Sequence, residues 1–122
     1  GLHLITNVIL DKLPALPGKG MLNIFIKHTS AALTINENAD PTARMDLETF
    51  IDYLIPEGLS MYRHTAEGSD DMPAHIKASF IGPSITIPVK DSMLNMGTWQ
   101  GIYLCEFRNH GGGRKLVVTV YS

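Results

Sequence analysis

The stretch from His64 to His75, HTAEGSDDMPAH, holds two histidines, one glutamate and two aspartates within twelve residues. Imidazoles and carboxylates are the side chains that most often bind metal ions or transfer protons. Asp70 and Asp71 also have a purely structural interpretation, because a carboxylate at a helix N-terminus caps the helix and complements its dipole. That interpretation does not account for His64 and Glu67, which precede the predicted helix. The stretch therefore predicts a metal or acid–base site.

Further polar side chains stand where other predicted elements end. His28 closes one strand, Asn36 and Glu37 close the next, and His110 precedes a run of three glycines. Strand ends and helix starts are the places where a scaffold gathers a site from distant segments. We therefore expect these side chains to share one pocket with the 64–75 stretch.

Two kinds of ion fit these residues. Three imidazoles with an open fourth position are typical of catalytic zinc, whereas carboxylate oxygens suit Mg²⁺. The sequence leaves the choice between zinc and magnesium open. The candidate zinc ligands are His28, His64 and His75, with His110 in reserve, and the candidate magnesium ligands are Glu37, Asp40, Glu67, Asp70 and Asp71.

The composition limits the class of protein. The chain has 122 residues, 44% of them hydrophobic, which fits one domain spanning residues 1–122. A net charge of −2 and a pI near 6.2 argue against nucleic acid or an anionic membrane as a partner. The one cysteine, Cys105, suits a reducing compartment and is interpreted as an apolar filler within a strand. No apolar run approaches the length of a membrane helix, so we expect a cytoplasmic protein.

Periodicity places the candidates on elements of an α+β fold. Asp40-Pro41 and Asp71-Met72-Pro73 each mark a helix start, and Pro56 and Gly82 mark the ends. Period-two and β-branched segments predict six or seven strands that do not alternate strictly with the helices. The predicted strands cover residues 2–9, 21–28, 32–36, 84–89, 102–107 and 115–121, with a loop over 14–20 and a turn near 91–92.

Three blocks of sequence resemble the signature blocks of the YjbQ family. These are HTSAALTINENADP at 28–41, EGSDDMPAHIKAS at 67–79 and GTWQGI at 97–102, and their order and spacing fit over essentially the whole chain. The family pattern has a glycine where this chain has Ser92. We therefore expect a positive φ at Ser92, which costs about 1 kcal/mol for a residue with a side chain.

The resemblance implies a single α+β domain with a β-sandwich-like core of mixed sheets, and the periodicity adds two short helices. It also implies a homotrimer and a weak, secondary thiamine-phosphate synthase activity. That reaction joins hydroxymethylpyrimidine diphosphate to a thiazole phosphate and releases pyrophosphate, so the expected substrate is small and phosphorylated.

This chemistry suggests roles for individual residues. Trp99 stacks on a pyrimidine or packs at a subunit boundary, and Gln100 can bond a heterocycle edge. Glu37, Asp71 and His75 are the acid–base candidates. The expected substrate-binding residues are Asn36, Lys77, Arg108 and Arg114, together with the backbone N–H groups around Gly112 as an anion nest.

Two alternatives remain open at this stage. The histidines also fit a metal-dependent hydrolase that uses a zinc-bound water. A domain that binds a metal or a small ligand without catalysis would use the same residues.

Overall fold

Seven strands and three helices follow one another along the chain, and the computed structural model describes all residues, 1–122. The fold is α+β, as predicted. The elements are β1 Leu2–Leu4, α1 Thr6–Asp11, β2 Lys19–Ile26, β3 Ala31–Glu37, α2 Pro41–Leu54, α3 Asp71–Ile81, β4 Ser84–Lys90, β5 Met93–Leu94, β6 Gln100–Glu106 and β7 Leu116–Tyr121.

The strands form two sheets that share one core. One sheet has the order β1-β6-β3 and the other β5-β4-β2-β7. Leu22 and Ile24 of β2 pack with Leu33 of β3 and Ile102 of β6, all at most 1% exposed. This confirms the sandwich-like core. The expectation of mixed sheets is wrong, since every strand pair is antiparallel.

The first predicted strand is mostly a helix. The sequence predicts a strand over residues 2–9, but β1 ends at Leu4 and α1 begins at Thr6. Ile5, Ile9 and Leu13 recur at a helical spacing of four and pack against the shared core. Burial of that stripe outweighs the β-branched composition of the segment, so the chain has three helices instead of two.

The other two helices confirm the predicted start signals. The Asp40 carboxylate caps α2 by accepting a hydrogen bond from the Thr42 N–H at 2.9 Å. Helix α3 lies on the three-stranded sheet, where Ala74 and Ala78 are buried and Ala78 packs with Ala32 of β3. Small side chains bring the helix close to the sheet, and this fixes the position of its first turn.

Two smaller expectations are also met. Ser92 has a φ of 61°, the positive value expected where the family pattern has glycine. Cys105 is buried, and burial raises the pKa of its thiol to about 12, in keeping with an apolar filler. No helix is both long and apolar enough to cross a bilayer.

Candidate metal centre

Three ligand atoms converge where α3 begins. Asp71 and His75 lie four residues apart, which places their side chains on one face of the helix, and His64 reaches them from the loop between α2 and α3. The Asp71 Oδ2 lies 2.8 Å from His64 Nε2 and 3.3 Å from His75 Nε2. One ligand atom from each residue lies within 4.8 Å of the other two. Part of the predicted pocket therefore exists within one chain.

The Asp71 carboxylate is the buried member of this group. The residue is only 1% exposed, and its Oδ1 accepts a hydrogen bond from Arg108 Nη1 at 2.6 Å. Its Oδ2 receives no hydrogen bond from any donor, although both imidazoles are close. A buried acceptor without a partner costs about 1–3 kcal/mol. The Asp71 Oδ2 thus lies close to both imidazole nitrogens but is hydrogen-bonded to neither. This arrangement fits three metal ligands better than a hydrogen-bonded His–Asp–His network.

The orientation of the His75 ring supports the same interpretation. His75 Nδ1 lies 3.0 Å from the backbone carbonyl oxygen of Thr29. A carbonyl oxygen can only accept, so Nδ1 carries the proton, and in the neutral ring Nε2 presents a lone pair towards the Asp71 Oδ2. Two electron pairs at this distance repel each other unless a positive charge, either a metal ion or the second proton of an imidazolium, lies between them. Metal-bound histidines commonly donate the second ring N–H to a backbone carbonyl in this way.

Arg108 holds the carboxylates of the 67–71 segment in place. Its Nε donates to Asp70 Oδ2 at 3.0 Å and its Nη2 to the Glu67 carbonyl at 2.9 Å. The Asn109 N–H donates to the same Asp70 oxygen at 2.8 Å and is the main cause of the lowered pKa of Asp70, with Arg108 adding to it. The capping interpretation is wrong for Asp70, which is the N-cap residue of α3 but makes no side-chain capping hydrogen bond, whereas Asp71 lies in the first turn, where a carboxylate complements the helix dipole.

The site opens towards solvent on the side of His64. The His64 side chain is 53% exposed, the His75 side chain is 28% exposed, and the Asp71 side chain is 2% exposed. His64 also lines an open cleft of about 360 Å³. A cleft of the same size lies beside Lys77, but none of the three ligand residues lines it. Of the three ligand residues, His64 is therefore the one that contacts this cleft.

The other two histidines that were predicted as ligands, His28 and His110, lie outside the group. His28 Nε2 accepts a hydrogen bond from the Lys115 N–H at 2.8 Å, which occupies the lone pair that a metal would need there. His110 is exposed on the segment after β6. Neither belongs to the set of converging ligand atoms.

The residues of the third signature block meet those of the first at the far end of the same sheet. Glu37 pairs with Gln100 in the ladder, and the Asn38 side chain donates to the carbonyls of Thr98 and Gln100. This brings Asn36, Glu37, Trp99 and Gln100 together. Strand β3 separates them from Thr29 and the metal ligands by roughly 20 Å, at about 3.3 Å per residue. Within one chain, the predicted catalytic residues form two groups.

The predicted phosphate-binding cations already have carboxylate partners. Lys77 Nζ lies 2.6 Å from Asp52 Oδ1, and Arg114 is paired with Glu106. Burial alone would raise the pKa of Glu106, but hydrogen bonds from Arg114 and from the Arg108 N–H bring it below its usual value. Gly112 has a φ of 70° in the following loop, where a positive φ favours glycine.

Two groups that shape the site escape inspection of the sequence. The Thr29 carbonyl orients His75, but every residue carries a carbonyl, so no sequence signal marks this one. From the sequence, Arg108 is equally well interpreted as a residue that binds phosphate. Only the fold reveals that its three side-chain nitrogens donate to the 67–71 segment.

Comparison with known proteins identifies the family. The family model described as UPF0047 protein YjbQ-like matches residues 1–122. The UPF0047 protein YjbQ of Salmonella typhimurium is 50% identical over 122 residues, covering 98% of this chain and 88% of that protein. UPF0047 protein YugU of Bacillus subtilis is 43% identical over 88 residues, or 72% and 64% of the two chains.

Solved structures agree with this assignment. An uncharacterised conserved protein of the YjbQ/UPF0047 family from Clostridium acetobutylicum superposes with a TM-score of 0.81 at 34% identity, covering 99% of this chain and 91% of that one. The conserved hypothetical protein TT1486 of Thermus thermophilus gives 0.84 at 30% identity, covering 99% and 90%. The resemblance of the three signature blocks is confirmed, and the chain belongs to the YjbQ (UPF0047) family.

Proposed function

We propose that His64, Asp71 and His75 bind one divalent transition-metal ion and that the protein is a metal-dependent hydrolase. The observation that carries this proposal is the position of the Asp71 Oδ2. This oxygen is buried between two imidazole nitrogens and accepts no hydrogen bond. Two imidazoles and one carboxylate suit zinc or another transition metal better than Mg²⁺, which prefers oxygen ligands alone.

Each ligand is prepared for this role by the chain itself. Arg108 occupies the Oδ1 of Asp71 and leaves Oδ2 for the ion, and the Thr29 carbonyl fixes the ring nitrogen of His75 that faces the site. His64 comes from a loop and forms the exposed side of the site. Once bound by three protein ligands, such an ion offers an open position and lowers the pKa of a water there to about 7.

Metal stoichiometry and turnover test the proposal together. Titration calorimetry of the metal-free protein with Zn²⁺ is expected to give one site per chain, and the zinc-loaded protein to hydrolyse a simple ester. His64→Ala and His75→Ala should lose both properties. His28→Ala is the matched control and should keep both. Unchanged zinc binding in the two ligand variants would refute the site, and zinc binding without any turnover would leave a non-catalytic metal-binding domain.

The transfer reaction implied by the family resemblance is a second candidate. Family membership supports it, together with the exposed Trp99, which precedes Gln100 in the chain, and the pairing of Gln100 with Glu37 in the strand ladder. This proposal predicts thiamine phosphate from the two precursors in the presence of Mg²⁺, with a loss of product in Trp99→Ala. A yield equal to that of a mixture without protein would remove it.

We also propose that the chain assembles as a homotrimer. The outer face of the four-stranded sheet supports this, because Met21, Phe25 and Tyr121 are 41%, 44% and 53% exposed. Large exposed apolar patches mark interaction surfaces. Light scattering is expected to give three times the chain mass of 13.4 kDa. A monomer mass at micromolar concentration would contradict the proposal.

A further inference from the structure

The cleft beside His64 contains no lysine, arginine, aspartate or glutamate. Arg63 precedes His64 in the chain but does not line the cleft. Apolar side chains, glycines and hydroxyl groups make up the rest of the wall. The lining residues are Gly58, Leu59, Ser60, Tyr62, His64, Thr65, Gly68, Ser69 and Met72.

The hydroxyl groups of the cleft differ in what they can still bind. Tyr62 donates to the Pro56 carbonyl at 2.9 Å, and Ser69 donates to Glu57 Oε1 at 2.6 Å. The hydroxyls of Ser60 and Thr65 make no hydrogen bond within the chain, so both remain available to a ligand. The cleft therefore offers neutral donors and acceptors beside Leu59 and Met72.

The charges around the metal ligands also disfavour an anionic substrate. Glu67, Asp70 and Asp71 surround the one guanidinium of Arg108, which leaves a formal charge of −2 from three carboxylates and one cation. A divalent ion brings this local charge only to zero. Sites for phosphate groups normally add arginine or lysine to the metal.

We propose that this site takes an uncharged carbonyl compound, a small ester or amide with a short acyl chain, in preference to a phosphate ester. The inference rests on the proposed function and specifies its substrate class. Water adds to the carbonyl carbon, the bond from that carbon to the alcohol oxygen or amine nitrogen breaks, and the proton from water ends on the leaving group. The products are a carboxylic acid and an alcohol or amine, and no other reactant is needed.

A matched pair of substrates with one leaving group tests this preference. The zinc-loaded protein is assayed with p-nitrophenyl acetate and p-nitrophenyl phosphate, and each kcat/KM is divided by the uncatalysed rate constant of the same compound. We expect this ratio to be at least about 100-fold higher for the acetate, equivalent to about 2.7 kcal/mol. A higher ratio for the phosphate would overturn the inference while leaving the hydrolase proposal intact.

A variant in the cleft adds an independent comparison. Thr65→Lys places a cation in the wall and should move the preference at least about tenfold towards the phosphate, with zinc stoichiometry unchanged. Thr49→Lys makes the same substitution at an exposed position of α2 that does not line the cleft, and it should leave the preference unchanged. Equal preferences in the two lysine variants would count against the cleft as the substrate site.

The preference for an uncharged carbonyl compound can also be tested by ligand binding, which needs no turnover of either substrate. In zinc-loaded protein with ¹³C-labelled methionine methyl groups, acetohydroxamic acid is expected to shift the Met72 signal at a concentration at least tenfold below that required for inorganic phosphate. The reverse order would overturn the inference. If acetohydroxamic acid binds more tightly than phosphate but neither substrate is turned over, only the hydrolase proposal would be overturned.

Discussion

Because the Asp71 Oδ2 has no hydrogen-bond partner, we expect Asp71→Asn to leave the stability of the metal-free protein nearly unchanged and to abolish most of the stabilisation by zinc. In the metal-free protein, the asparagine keeps an oxygen for Arg108 and places an N–H group where the Asp71 Oδ2 faces His75 Nε2. The charge attraction to Arg108 is lost, but an acceptor without a partner becomes a donor with one. We expect these changes to offset each other, so that the free energy of unfolding in EDTA stays within about 1 kcal/mol of wild type.

Metal binding should respond quite differently. An ion at one hundred times its Kd stabilises the folded state by about 2.7 kcal/mol. With an unfolding entropy of about 2.1 cal/mol/K per residue, the 122 residues correspond to about 0.26 kcal/mol per kelvin, so zinc should raise the Tm of wild type by about 10 °C. Asp71→Asn should lose most of this increase, because a carboxylate ligand is gone.

Calorimetric melting with EDTA and with Zn²⁺ measures both effects, and Asp70→Asn is the matched control. Asp70 accepts hydrogen bonds from Arg108 and from the Asn109 N–H but is not a ligand. Its replacement should cost about 1–2 kcal/mol without zinc and keep the zinc-dependent increase. A loss above about 3 kcal/mol for metal-free Asp71→Asn would show that Asp71 acts as a structural ion-pair partner and not as a metal ligand held ready without one.

Three further predictions follow from the same structure. The lowered pKa of Asp70 means that its contribution to stability is complete above about pH 4 and is lost as the pH falls through its native pKa. Urea titrations between pH 5 and 2 should therefore show a smaller acid loss for Asp70→Asn, and equal slopes would contradict this. Ser92→Gly should raise the free energy of unfolding by up to about 1 kcal/mol, because φ is 61° there; no change in a denaturant midpoint would count against strain. Zinc bound to His64 should lower the rate at which trypsin cleaves the chain after Arg63. In the His64→Ala variant this cleavage rate should be the same with and without zinc.

The sequence predicts most of the fold because its start and stop signals are local. Asp40-Pro41 begins α2 and Gly82 ends α3, as those residues indicate. The structure of the segment from Ile5 to Leu13 cannot be predicted from local sequence alone. Its β-branched residues favour a strand, whereas the spacing of four between its core-facing residues fits a helix. Only the position of the sheets decides between the two, and the sequence does not supply that position.

The candidate site was predictable in part for a similar reason. His64, Asp71 and His75 stand within one short stretch, so their grouping needs only one helix start and the loop before it. His28 and Trp99 depended on the register of distant strands, and the fold gives His28 a hydrogen bond to Lys115 and places Trp99 at the other end of the sheet. Spacing along a chain predicts contacts within an element far better than contacts between elements.

The measurement that bears most directly on the proposed centre is a crystal structure of zinc-soaked protein with diffraction recorded on both sides of the zinc absorption edge. One anomalous peak is predicted per chain, bonded to His64 Nε2, Asp71 Oδ2 and His75 Nε2 at about 2.0–2.2 Å. An empty position between these atoms, or a zinc ion bound instead by His28 or His110, would contradict the account.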